Sequence, residues 1–162
     1  MGNNIKKQYN QEKDIRLDIT LDKVCYMPGE QINGSLEIQP KPENTEKILN
    51  DVLALIKIIQ LQRYTYLEDD GDDNSRLVVE SDEDDIFSKY FDFMNYEGAS
   101  ILSGIHIPFS IQIPLKIHAS INFGSDYYVK HFLSVDFPGI KAKRTLMIII
   151  KRFEMFSNEN KL

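Results

Sequence analysis

At 162 residues, with 42% hydrophobic and 27% charged content, the chain is long enough for one domain with a sizeable core and has an ordinary globular composition. No apolar run nears the roughly 20 residues that span a bilayer; the longest, Leu146–Ile150, is short, and MGNNIKKQYN has no apolar h-region, so neither a spanning helix nor a secretory leader is expected. The net charge of −6 is uneven: residues 68–85 hold ten acids against Arg76, a sum of −9, which leaves +3 for a mildly basic body.

Residues 1–14 are polar and are expected to form a tail or a first edge strand. Gly2 raises N-myristoylation, but that motif wants Ser or Thr where Lys6 stands, so membrane contact is expected to be indirect at most. Ile15, Leu17, Ile19 and Leu21 alternate with polar residues and predict a strand with one wet face. Cys25 is the single cysteine and has no internal disulfide partner. A packed strand thiol in a reducing, cytoplasmic setting is the expectation. In Tyr26-Met27-Pro28-Gly29-Glu30, Pro28 sets φ and Gly29 supplies a positive φ for a turn. Ile32, Gly34, Leu36 and Ile38 continue the alternation, and Pro40 and Pro42 stop it.

Val52–Tyr66 has helical length, but its β-branched and aromatic side chains predict a strand, with a bulge at Ile58-Ile59. The acidic stretch 68–85 reads as a solvated, mobile insertion, with an irregular cation site or a mask over the basic body as alternatives. Its Gly71 lacks the ligand pattern of an EF-hand, because Tyr66 stands five places before it. Residues 88–96 predict a short strand or one helical turn. Ile105, Ile107, Phe109, Ile111 and Ile113 share one face of a strand that Pro108 marks as an edge or a bulge. The segment 114–126 is too long for a tight hairpin and is expected to cross between sheets. Tyr127, Val129, His131, Leu133, Val135 and Phe137 share the buried face of the next strand. Pro138-Gly139 predicts a turn, Thr145–Phe153 a closing strand buried on both faces, and 154–162 a frayed tail or linker. Seven or eight strands without a long helix predict an all-β, immunoglobulin-like antiparallel β-sandwich over residues 15–153.

Catalytic and cofactor signatures are missing: no GxSxG elbow, HExxH, phosphate-cradling loop or dinucleotide fingerprint occurs. No enzyme, cofactor or metal site is expected. His106, His118 and His131 stand 12 and 13 residues apart on strand positions that suggest no ligand set. The basic clusters Lys141-Lys143-Arg144 and Lys151-Arg152 are short and lack interleaved aromatics, so nucleic acid is not expected as a partner.

Four segments together resemble the N-terminal domain of the arrestin family, its α-arrestin branch in particular. They are LDKVCYMPGEQINGSLEI (21–38), HIPFSIQIPLKIHAS (106–120), DYYVKHFLS (126–134) and KAKRTLMIIIKRF (141–153). The resemblance implies the first of that family's two β-sandwich domains. It also implies a non-enzymatic adaptor or scaffold that binds cytoplasmic tails or loops of membrane proteins and links them to trafficking or signalling machinery. Ile5-Lys6-Lys7 resembles the paired lysines that contact receptor phosphates in some members, and Lys130 matches the lysine of the family's VKA-type strand. Lys151 and Cys25 stand where those members place the arginine and aspartate of a buried polar pair. Lacking that carboxylate, Lys151 should reach solvent or another acid. No PPxY motif for ligase recruitment occurs. A constitutive subunit of a sorting coat, similar to the arrestin-fold subunit of retromer, and an unrelated immunoglobulin-like module are the alternatives.

Overall fold

The computed structural model describes residues 15–40, 53–69, 71, 74–92, 104–138 and 142–152. Nine strands run through them: β1 (Ile15–Leu21), β2 (Cys25–Tyr26), β3 (Gln31–Pro40), β4 (Leu53–Asp69), β5 (Ser75–Asp92), β6 (Ile105–Gln112), β7 (Ile121–Asn122), β8 (Tyr127–Phe137) and β9 (Ala142–Ile150). No helix among the described residues is long and apolar enough to cross a membrane.

Two sheets face each other. One has the order β1-β3-β6; the other has the order β2-β9-β8-β4-β5, with β7 on β8. All pairings are antiparallel except a two-residue parallel contact of Cys25 and Tyr26 with Ile149 and Ile150. The segment 114–126 carries the chain from β6 in the first sheet to β8 in the second, the crossover its length predicts. Apolar residues at every second position of both sheets meet in a single core, including Leu17, Ile32, Leu36, Ile107, Ile56, Leu133, Phe137 and Ile150. Burying each such side chain contributes about 1.5–3 kcal/mol. The protein is therefore an all-β, two-layer sandwich, built largely of antiparallel pairs.

Several local expectations hold. In β6 the odd-numbered residues are buried and the even ones exposed, and Pro108 lies on a strand that pairs only with β3 among the described residues. An edge tolerates the missing N–H. The register of β4 against β5 shifts between Ile58 and Ile59, which pair with Phe87 and Asp85 and leave Ile86 as the extra residue. Gly29 has φ of 80° and turns the chain from β2 into β3.

Three expectations are corrected. The stretch 68–85 is not a mobile insertion over its described part: β4 and β5 pair in register from Leu53↔Asp92 to Asp69↔Ser75, so its acids flank the tip and line the second arm of a long hairpin. Acidic composition suggested a solvated loop, but cross-strand pairs with β4 decide otherwise. Glu68 takes Arg76 in an ion pair, and Glu80 accepts hydrogen bonds from both Tyr64 and Tyr66. Residues 88–92 belong to this same strand rather than to a separate element. The closing strand begins at Ala142 and ends at Ile150, and it is buried on one face only: Ile148 and Ile150 are buried, while Met147 and Ile149 are exposed. In a two-layer sandwich each sheet is covered on one face only, so the apolar run of β9 does not have a layer on each side.

Gly34 in β3 marks a close approach between strands. A Cβ there would meet Phe109 Cζ and the Thr20 carbonyl oxygen, both at 2.7 Å, and Leu21 Cδ2 at 2.9 Å. Gly34→Ala is expected to destabilise the fold by about 1–3 kcal/mol, the usual cost of overpacking. A urea titration that left the midpoint unchanged would remove the constraint.

Candidate functional site

The end of the sandwich where β2 meets β9 holds an open cleft of about 700 Å3. Its walls include Lys23, Cys25, Tyr26, Ser120, Lys151 and Arg152. The turn after β2 shapes one side. Gly29 N–H donates to the Ile113 carbonyl at 3.1 Å, and Ile113 N–H donates to the Glu30 carbonyl at 2.9 Å. Glu30 also accepts from Met27 N–H at 2.8 Å and pairs with Lys23. That hydrogen bond from Lys23 holds the Glu30 carboxyl below its ordinary range and raises the lysine.

Tyr26 plugs the floor. It is 1% exposed, and its hydroxyl lies 2.6 Å from Asp22 Oδ1 and 2.8 Å from the Lys23 carbonyl. Burial pushes the phenol upward first, and the Asp22 hydrogen bond adds to it. The parallel contact is closed by Ile149 N–H to Val24 O at 2.9 Å and Lys151 N–H to Tyr26 O at 2.8 Å.

Cys25 and Lys151, singled out from sequence, both line this cleft. Cys25 is half-buried, and Lys151 is exposed to solvent, where its charge needs no buried partner. Arg152 beside it is exposed as well, and neither cation is in an ion pair among the described residues. Lys130 stands apart from them, its ammonium 4.4 Å from the Tyr128 ring centroid. It lines a smaller hollow of about 230 Å3 with Asn122, Met147 and Ile149. Ser120 lines both hollows. Lys6 and Lys7 lie outside the described residues.

Beneath the cleft runs a polar chain that inspection of the sequence missed. His131, 0% exposed, places Nε2 3.2 Å from Gln60 Oε1 and Nδ1 2.8 Å from Ser120 Oγ. Ser120 Oγ also accepts Ile150 N–H at 2.9 Å, and Ser120 N–H donates to Ile150 O at 2.8 Å. Because the amide oxygen requires Nε2–H, Nδ1 is the acceptor for the Ser120 hydroxyl. The available signal was parity: His131 sits on the apolar face of β8, and a buried imidazole needs partners.

A hydroxyl beside an imidazole is also the beginning of a nucleophilic pair, but three features oppose that chemistry here. Desolvation by burial, with the nearby His118 adding to it, lowers His131 to about 4, which makes it a poor base near neutral pH. The group on its far side is an amide rather than a carboxylate. The serine oxygen is already engaged by a backbone N–H. The arrangement ties β4, β8 and β9 together. Among the described residues no three His, Cys, Asp or Glu side chains are grouped to hold a metal ion.

No family model matches the chain, and no curated protein matches it. Among solved structures, the crystal structure of Spo0M, a sporulation control protein from Bacillus subtilis, overlaps it at 16% identity with a TM-score of 0.48. The overlap covers 86% of this chain and 50% of that one, so the chain spans about half the length of that protein. A likeness at this level establishes neither a shared family nor a shared function.

Proposed function

We propose that the protein is a non-enzymatic, arrestin-like adaptor whose basic cleft receives acidic or phosphorylated extended segments, such as cytoplasmic tails or loops of membrane proteins. The observation that carries the reading is the open cleft at the β2–β9 rim, where Lys151 and Arg152 are exposed and free of ion pairs among the described residues. Two cations at one rim offer both point-charge and forked contacts to phosphate or carboxylate oxygens. The arrestin-like segments support the same reading, since three of the four, 21–38, 106–120 and 141–153, contribute residues to the lining of this cleft. Lys6 and Lys7 are proposed to add to the positive field.

The test is fluorescence anisotropy with the full chain and a panel of acidic and phosphorylated peptides at low and physiological salt. Lys151→Glu/Arg152→Glu is expected to weaken binding about tenfold to a hundredfold, the range for losing charge-assisted hydrogen bonds. Lys6→Glu/Lys7→Glu is expected to weaken it in the same direction. Binding that both variants retain at the wild-type level, or that ignores salt, would remove the cleft from consideration.

A further inference from the structure

We infer that the outer edge of β5 is a second docking surface, which takes an extended lysine- or arginine-rich segment of another protein as an added strand. β5 is 18 residues long and is the last strand on its side of the larger sheet. One of its edges pairs with β4 throughout; the other meets no strand among the described residues. Such an edge presents a row of backbone N–H and C=O groups that can pair with an incoming chain.

The side chains specify the occupant. Leu77 and Val79 are 67% and 47% exposed, and Leu67, directly across from Leu77, is 68% exposed. Together they form an apolar face on the hairpin that nothing described covers. Further along the same edge, Asp82, Glu83 and Asp84 are exposed and make no ion pair among the described residues, whereas Asp85 is taken by Lys57 and Glu80 by two tyrosines. Two copies of this strand paired antiparallel about that stretch would set acids against acids, which is destabilising. Pairing of two copies about Val78 instead would leave Asp82, Glu83 and Asp84 without a cation, so a cationic strand with alternating apolar residues is the occupant that complements the whole edge. The surface is opposite in charge to the cleft beside Lys151, so the two engage different partners.

The experiment uses the full chain and a capped nine-residue peptide alternating lysine with valine. Two further versions carry backbone N-methyl groups at alternate residues, one set per peptide edge, and a control alternates glutamate with valine. Saturable binding with a stoichiometry of one is expected, together with slowed amide exchange confined to residues 76–85. One N-methylated version should lose binding by at least tenfold and the other retain it, because only one peptide edge faces β5. The glutamate control should not bind. Asp82→Asn/Glu83→Gln/Asp84→Asn, all at exposed positions, should melt like wild type yet bind at least tenfold more weakly at low salt. Equal binding of both N-methylated versions would reduce the contact to charge alone and overturn strand addition. Protection elsewhere, no binding, or a wild-type dimer with a protected β5 would overturn it as well.

Discussion

Taking the protein from pH 7 to pH 4 is expected to remove up to about 3 kcal/mol of stability through one side chain, His131, at about 1.4 kcal/mol per pKa unit. Its imidazole ordinarily titrates near 6.5, and burial lowers it to about 4 in the folded chain. Between those values the unfolded chain binds a proton and the folded one does not, so protons favour unfolding. The contribution is complete above pH 6.5, is lost as the pH falls toward 4, and levels off below that. Asp22, Glu30 and Glu80 are held below their ordinary carboxyl range by hydrogen bonds, so their contributions are lost at lower pH and do not fill the same window. Urea midpoints in steps from pH 7 to 4 measure the slope. His131→Leu takes the hydrogen-bond partner from the Gln60 amide oxygen and the acceptor from the Ser120 hydroxyl proton, and should lower the baseline by about 1–3 kcal/mol, while flattening the slope. A variant that kept the wild-type slope would show that His131 is not its source.

Tyr26→Ala is expected to cost about 3–5 kcal/mol, as for other large buried rings, and to lower the Tm by roughly 10 °C for a chain of this size. The ring is 1% exposed and sits in a strand only two residues long, so little else holds that segment against β9. Binding of acidic peptides should disappear with it, because Tyr26 forms the floor between Lys23 and Lys151. Tyr26→Phe keeps the ring and removes only the hydroxyl contacts to Asp22 and Lys23, for a loss of about 1–2 kcal/mol and near-normal peptide binding. Thermal melts and anisotropy on both variants separate the two roles. If Tyr26→Ala melted within a few degrees of wild type, the β2 contact would be dispensable.

The strands were legible wherever one face is wet and the other dry, because alternation is then written directly into the residues. β6 and β8 are the clearest cases: Ile105 to Ile113 and Val129 to Phe137 are buried at the positions that period two selects. The place of the register shift was legible for a related reason, since two consecutive buried isoleucines break that alternation, but the extra residue is Ile86 of β5, while Ile58 and Ile59 run without a shift against β8. The acidic arm was not legible. β5 is exposed at nearly every position, so it has no dry face to print a pattern, and its strand is imposed by pairing with β4. The both-face burial expected for β9 failed because composition does not say how many layers cover a strand.

The candidate site divides in the same way. Cys25 and Lys151, more than a hundred residues apart in the chain, were matched to each other only through the arrestin resemblance, and the parallel contact of β2 with β9 is what puts them in one cleft. Arg152 gained its interest from that placement. By itself the sequence determined the sheet class, the turn at Gly29, the crossover before β8 and the segregation of charge, since each depends on local residue chemistry or on a period of two. Tertiary structure alone decided which strands are neighbours, that a run of acids became the rim of a sheet, and that Gln60, His131 and Ser120 satisfy one another. These rest on pairings between distant segments, and a one-dimensional pattern shows which groups need a partner without showing which partner the fold brings.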